Sequence, residues 1–136
     1  MSLVLDASMT MAWYFEDEAT PEAEEALDAV ARAGAAAPPL WRLEVANAFQ
    51  SAIRRKRIDA AYRNASMRDL ARLPIAVDSD ADVHVWTTTL FLSDRFGLTI
   101  YDACYLELAQ RLNLPLATLD RELRAAGKSL GLPHLS

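Results

Sequence analysis

Leu3-Val4-Leu5-Asp6 is a short apolar run that ends at an acidic residue, a pattern typical of a buried β-strand. Residues 7–15, which follow it, have helical spacing, and this alternation of apolar run and helical segment continues along the chain. Strands that alternate with helices are typical of βαβ units, in which the strands lie parallel. The sequence therefore predicts an α/β fold with a short, mainly parallel central sheet.

Three further apolar runs are predicted to join that sheet. Residues 35–40, interrupted by Pro38-Pro39, are predicted as a short or edge strand, because proline cannot donate to a central ladder. Residues 75–77 and 114–118 are predicted as strands, the second with a proline near its start. Residues 132–135 are a candidate for an additional edge strand.

Helix start and stop signals divide the rest of the chain. Thr20-Pro21-Glu22 combines a cap, a first-turn proline and an acid at the positive end of the helix dipole. Residues 79–82 and 99–102 have the spacing of capping boxes, and Gly34 and Gly97 are C-terminal stop signals. The predicted helices are residues 7–15, 20–33, 41–57, 59–72, 79–96, 99–113 and 120–130.

The composition fits one domain, residues 1–136, with 52% hydrophobic and 24% charged residues. The net charge of −5 argues against a protein that holds nucleic acid mainly by diffuse charge, but not against a nuclease with an acidic metal site. The single Cys104 excludes an intrachain disulfide and a cysteine-based zinc cage. With no basic leader and no apolar stretch near the roughly 18 residues of a spanning helix, we expect a cytoplasmic protein without membrane association.

Four acidic residues have positions from which they could meet at one edge of the sheet. Asp6 ends the first strand and Asp120 follows the strand at 114–118, while Glu44 and Asp102 lie in the first turns of two helices. Ligands of open parallel sheets bind beyond the carboxyl ends of the strands, where these acids are expected. Each acid also has a structural explanation, as a helix cap or as a first-turn acid at the dipole, and spacing alone leaves both open.

A denser acidic cluster, Asp78, Asp80 and Asp82, serves as a comparison. Its spacing resembles the start of a calcium-binding loop, but Val83 stands where that loop requires glycine. We therefore interpret these three residues as solvated capping acids.

Four segments carry the acids of the candidate site in order along the chain. They are Val4-Leu5-Asp6-Ala7-Ser8, Leu43-Glu44-Val45-Ala46-Asn47-Ala48, Leu98-Thr99-Ile100-Tyr101-Asp102-Ala103-Cys104-Tyr105 and Leu116-Ala117-Thr118-Leu119-Asp120. They resemble the four motifs of PIN-domain ribonucleases, and in particular the VapC-type toxins of bacterial toxin–antitoxin pairs. The resemblance runs from Leu3 to about Gly127, nearly the whole chain, and implies a single PIN-like domain with an α/β/α sandwich.

The resemblance also implies a metal site and its residues. The implied catalytic and metal-binding quartet is Asp6, Glu44, Asp102 and Asp120, with Ser8, Asn47 and Thr118 as supporting polar positions. Carboxylates repel a phosphate, so such a cluster suits phosphodiester hydrolysis only if it holds divalent cations. Hard oxygen ligands favour Mg²⁺ or Mn²⁺, and the shortage of His and Cys argues against zinc.

The activity implied by the resemblance is that of a metal-dependent endoribonuclease. The expected substrate is a structured RNA such as a tRNA or rRNA, and the expected partners are a VapB-type antitoxin and a second copy in a homodimer. Arg54-Arg55-Lys56-Arg57, the only basic run, is a candidate RNA contact, although cations at a helix C-terminus also complement the dipole. The alternative function is a PIN-fold RNA- or protein-binding module without catalysis.

Overall fold

The computed structural model describes residues 1–135, which contain a four-stranded parallel sheet. The strands are β1 (Leu3–Leu5), β2 (Ala35–Ala37), β3 (Ile75–Val77) and β4 (Leu116–Ala117). Their order in the sheet is β3-β2-β1-β4, and all three pairings are parallel. The predicted α/β fold is therefore confirmed, although β2 lies inside the sheet rather than at an edge.

Seven α-helices in the described residues connect and cover these strands. They are α1 (Ala7–Ala12), α2 (Pro21–Ala33), α3 (Leu40–Arg54), α4 (Ala60–Leu70), α5 (Leu90–Phe96), α6 (Ile100–Leu112) and α7 (Arg121–Ser129). A 3₁₀ turn at Glu16–Glu18 separates α1 from α2. None of the described helices is both long and apolar enough to cross a bilayer.

The core lies between the sheet and its covering helices. All residues of β1 and β2 are buried, as expected for parallel strands that are covered on both faces. In α6, every residue from Ala103 to Ala109 is buried, so this helix is central to the domain. β2 (Ala35–Ala37) is an inner strand of the sheet, and its three small side chains are part of this core.

The helix predicted at residues 79–96 is wrong in its first half. The chain instead forms a 3₁₀ turn at Ala81–His84 and a π-helical turn at Val85–Thr89, and α5 begins only at Leu90. The capping box predicted at residues 79–82 is absent: the 3₁₀ turn has Asp80 instead of Ser79 at its N-cap, and Asp80 makes no side-chain cap bond. The segment 81–89 contains two valines and three threonines, and β-branched residues lose side-chain freedom in a regular α-helix, which disfavours the predicted regular helix here.

The edge strand predicted at residues 132–135 does not form. Gly131 has a φ of +72°, a conformation that turns the chain back over the end of α7. The backbone N–H of Leu132 then donates to the carbonyl of Gly127 at 3.1 Å. Because Gly127 has no side chain, Leu132 packs directly against it, and the segment closes α7 instead of extending the sheet beyond β4.

Candidate active site

Asp6 lies at the carboxyl end of β1 and is only 4% exposed. It is the N-cap of α1, because its Oδ1 accepts a hydrogen bond from the backbone N–H of Met9 at 2.9 Å. The Ser8 hydroxyl donates to the same carboxylate at 2.8 and 3.0 Å, and the Thr118 hydroxyl donates to Oδ2. The structural and functional explanations of Asp6 are therefore compatible: one carboxylate caps a helix and is held rigidly by two hydroxyls.

The two hydroxyls also join the ends of neighbouring strands. Thr118 follows β4, which pairs with β1, and its Oγ accepts from the backbone N–H of Asp120 at 3.0 Å. The Ser8 Oγ accepts from the backbone N–H of Leu119 at 3.0 Å. Ser8 and Thr118, predicted as supporting positions, thus lie against Asp6 and connect it to the loop that carries Asp120.

Glu44 reaches the site from α3. Its half-buried carboxylate accepts a hydrogen bond at Oε1 from the hydroxyl of Tyr105 on α6, with an oxygen–oxygen distance of 2.5 Å. Tyr105 itself is 1% exposed. This hydrogen bond connects α3 and α6, two helices that are distant in sequence.

Asp102 and Asp120 stand at helix starts. Asp102 is half-buried in the first turn of α6, where its backbone N–H donates to the Thr99 hydroxyl at 3.1 Å. Asp120 is exposed and caps α7, with its Oδ1 accepting from the backbone N–H of Leu123 at 2.8 Å. Asp120 is therefore a helix cap, as the structural explanation expected, and its Oδ2 takes no part in the cap bond.

Burial and mutual repulsion both act on these carboxylates. Burial raises the pKa of Asp6 to about 6, against the opposing effect of its hydrogen-bond donors, and Asp102 contributes a smaller increase. Burial also raises the pKa of Glu44 and of Asp102, and the charge of Asp102 adds to the effect on Glu44. The pKa of Asp102 is raised further by the charge of Asp120. Asp102 is thus coupled electrostatically to each of the other three acids.

Within residues 1–135 none of the four acids forms a salt bridge with a lysine or arginine. The ion pairs of this part of the chain join Arg57 to Asp17 and Glu18, Arg111 to Asp78 and Glu107, and Arg124 to Glu22. Buried charges are ordinarily paired or bound to a metal. Within the described chain no lysine or arginine therefore neutralises the four carboxylates, and Asp102 repels each of the other three.

The donor set fits a hard divalent cation in charge and in chemistry, since it consists of carboxylate and hydroxyl oxygens. As the side chains stand across residues 1–135, no group of three or more His, Cys, Asp or Glu could hold an ion together. Local partners explain this spacing, because Asp120 caps α7 and Glu44 is bound to Tyr105. An arriving cation would have to draw these side chains together.

The remaining predicted residues form no hydrogen bond or ion pair with the four carboxylates within residues 1–135. Asn47 is exposed on α3, and no hydrogen bond links it to the four acids in the described chain. The run 54–57 begins ten residues after Glu44, about 15 Å along a helix. Arg57 in this run pairs with Asp17 and stacks over the Phe15 ring at 4.7 Å, and Lys56 has a φ of +59° in the turn after α3.

Two further residues near the site were not predicted as site residues from the sequence. Tyr105 belongs to the third motif, but a buried aromatic on a helix is ordinarily a core residue, and its polar partner lies 61 positions away. Glu122, in the first turn of α7, is a fifth acid whose charge raises the pKa of Asp102. The sequence feature that could have indicated Glu122 is its position two residues after Asp120.

This fold and this arrangement of acids define an α/β domain with a carboxylate site at the carboxyl edge of its sheet. Residues 3–129 match the PIN domain family, so the chain belongs to that family and the resemblance of its motifs is confirmed. Ribonuclease VapC3 from Pyrobaculum aerophilum is 29% identical over 133 residues, which cover 98% of this chain and 100% of that protein. The crystal structure of PAE2754, also from P. aerophilum, superimposes with a TM-score of 0.68 at 26% identity, over 93% of this chain and 84% of that one.

Proposed function

We propose that this protein is a divalent-metal-dependent endoribonuclease that hydrolyses phosphodiester bonds in RNA. The observation that carries the proposal is the set of four acids Asp6, Glu44, Asp102 and Asp120, in which Asp102 repels the other three and none pairs with a lysine or arginine within residues 1–135. Membership of the PIN domain family and the full-length similarity to a protein named Ribonuclease VapC3 support it.

In this proposal Asp6 and Asp102 are the principal ligands of Mg²⁺ or Mn²⁺. Glu44 binds the ion directly or through water, and Asp120 serves a weaker second ion. A bound ion of this kind supplies an activated water and neutralises charge on the phosphate. Ser8 and Thr118 hold the Asp6 carboxylate in one orientation, which reduces the reorganisation that metal binding requires.

The proposed biological setting is that of a VapC-type toxin. The substrate would be a structured RNA such as a tRNA or rRNA in the cytoplasm, and a VapB-type antitoxin would keep the site inactive. Because the chain has a net charge of −5, RNA binding would depend on local cationic patches. In this proposal Asn47 positions a metal ligand or a phosphate oxygen, and the run Arg54, Arg55, Lys56 and Arg57 is the candidate for RNA contacts outside the carboxylate cluster.

The test of this function is the cleavage of total cellular RNA by purified, antitoxin-free protein. We expect discrete fragments with Mg²⁺ or Mn²⁺ and none with EDTA, because four carboxylates without a cation repel the phosphate. Fragments that persist in EDTA would contradict the metal-dependent mechanism. Folded protein that binds Mn²⁺ but leaves RNA intact would instead favour the binding-module alternative.

The proposed homodimer has a candidate contact face. Large apolar side chains are exposed along the helical segment that leads into and through α5, namely Val83 (73%), Trp86 (89%), Leu90 (46%) and Phe91 (61%). Several exposed apolar side chains in one segment mark an interaction surface more often than free solvent contact. We propose that a second copy of the chain covers this face.

Replacing Trp86 by glutamate is expected to convert the dimer into a monomer, since a charge there would be desolvated in the contact. Native mass from light scattering after size-exclusion chromatography measures this change. Met67→Glu, on α4, adds the same charge to an exposed apolar side chain outside the proposed face and should leave the mass unchanged. A wild-type monomer, or a Trp86→Glu dimer, would rule out this contact.

A further inference from the structure

The hydroxyl of Tyr105 is a polar group placed inside the hydrophobic core. Tyr105 is flanked along α6 by buried residues from Ala103 to Ala109, and 1% of its surface is exposed. Phenylalanine would fill nearly the same space without a polar atom to desolvate. A buried tyrosine hydroxyl requires a hydrogen-bond partner to offset that desolvation. The partner here is Oε1 of Glu44, at 2.5 Å.

This hydrogen bond restricts a side chain that is otherwise free to rotate. A glutamate loses substantial rotamer entropy when it is fixed in one orientation. Tyr105 is the only side chain that donates to Glu44 within residues 1–135, and it leaves Oε2 outside this bond. One oxygen of Glu44 is therefore held by the core, while the other remains available.

The other acids of the site are held in a comparable way by other groups. Asp6 has the hydroxyls of Ser8 and Thr118, and Asp120 has a backbone N–H of α7. Glu44, expected in the first turn of its helix, is the fifth residue of α3 and so lies past the first-turn backbone N–H groups that could bond it. The phenol of Tyr105 supplies the hydrogen-bond donor that Glu44 does not find on its own helix.

The phenol also lies within electrostatic reach of the rest of the site. The charge of Asp6, as well as that of Glu44, acts on the Tyr105 hydroxyl. Tyr105 thus contacts one acid of the cluster directly and faces the field of a second.

We propose that Tyr105 is a positioning residue of the carboxylate site, which acts by holding Glu44 in the orientation that serves a divalent ion. The inference rests on the proposed function. Tyr105 itself touches neither metal nor RNA in this arrangement.

The test compares Mn²⁺ binding by the wild-type protein and by Tyr105→Phe, with free Mn²⁺ followed by electron paramagnetic resonance. We expect about a 10-fold weaker affinity for Tyr105→Phe, the loss typical of a removed hydrogen bond to a metal ligand. The Mn²⁺ concentration for half-maximal RNA cleavage should rise by a similar factor. Melting temperatures in EDTA verify that each variant is folded.

A matched control is Tyr14→Phe. Tyr14 also donates its phenol to a carboxylate, Oδ2 of Asp69 at 3.0 Å, but that pair joins α4 to the segment after α1. Its loss should leave Mn²⁺ affinity unchanged. A comparable loss of affinity in Tyr14→Phe would attribute the effect of Tyr105→Phe to general loosening of the fold and overturn the proposal.

A double variant separates positioning from a merely structural role. If Tyr105 acts through Glu44, then Tyr105→Phe should weaken Mn²⁺ binding no further in a Glu44→Ala protein. Additive losses, or equal affinities of wild type and Tyr105→Phe, would overturn the proposal.

The role of Tyr105 and the proposed function can fail separately. If the wild-type protein binds Mn²⁺ without cleaving RNA, the proposed function is wrong, but the Mn²⁺ affinities still decide the role of Tyr105. Absence of Mn²⁺ binding would overturn both.

Discussion

Asp6→Asn is expected to lower the proposed metal-dependent RNA cleavage by more than about 100-fold, because removing a proposed principal ligand should exceed the 10- to 100-fold cost of removing its supporting partners. Asparagine has nearly the same shape and keeps one oxygen that can accept the cap bond from Met9. The measurement is the initial rate of cleavage at saturating Mg²⁺ or Mn²⁺. The variant therefore changes the charge of the site with little change in packing.

The thermal stability of Asp6→Asn shows whether a loss of activity comes from the loss of the carboxylate or from unfolding of the protein. The pKa of Asp6 lies above its ordinary value, at about 6. Its proton therefore stabilises the fold at low pH, and that stability is lost as the pH rises from 3.8 to about 6, by about 3 kcal/mol in total. Asparagine carries no such charge. At pH 8 in EDTA we expect Asp6→Asn to melt at or above the wild-type temperature.

Asp28→Asn is the matched control, since Asp28 is an exposed acid of α2 outside the site. It should cleave RNA at the wild-type rate. If Asp6→Asn retained more than a tenth of wild-type activity, Asp6 would not be a principal ligand. If it instead melted far below wild type in EDTA, the loss of cleavage would reflect unfolding.

The sequence predicts the sheet and the place of the four acids because both depend on local signals. Leu3-Val4-Leu5 is an uninterrupted apolar run, and Asp6 follows it directly, so strand end and acid coincide. Thr99 and Asp120 are caps whose side chains bond the expected backbone N–H groups. Parallel strands then bring their carboxyl ends to one edge without further information.

What the sequence could not predict depends on partners distant along the chain. The bond from Tyr105 to Glu44 spans 61 positions, and nothing local distinguishes Tyr105 from an ordinary core aromatic. The same limit applies to Asp78, for which the prediction of a solvated capping acid is wrong. Asp78 lies at the end of β3 with its side chain 12% exposed, and it pairs with Arg111 across 33 positions.

Arg111 forms the least exposed ion-pair network of the described chain. Its guanidinium donates to Asp78 at 2.7 and 3.3 Å and to Glu107 at 2.8 and 3.1 Å. The Glu107 side chain, one turn earlier on α6, is only 3% exposed. Hydrogen bonds to the two carboxylates raise the pKa of Arg111 further above its usual range, so the guanidinium stays charged. The network thus ties α6 to the carboxyl end of β3.

Arg111→Leu is expected to destabilise the fold by about 3 kcal/mol or more, because it leaves the buried Glu107 carboxylate without its cation. For a domain of this size that corresponds to a fall in melting temperature of roughly 10 °C. Thermal or urea unfolding measures the change. Arg57→Leu removes an arginine whose partners Asp17 and Glu18 are exposed, and should cost about 1 kcal/mol or less.

A second substitution identifies the source of that loss. Adding Glu107→Gln to Arg111→Leu removes the stranded charge, so the double variant should be more stable than Arg111→Leu alone. If the loss came instead from the packing of the arginine stem, Glu107→Gln would give no recovery. The contrast with the candidate site is physical: Asp78 and Glu107 have an internal cation and are stable as they stand. The four carboxylates of the candidate site, Asp102 among them, lack one in the described chain, which is why we expect a divalent ion to stabilise them and not this pair.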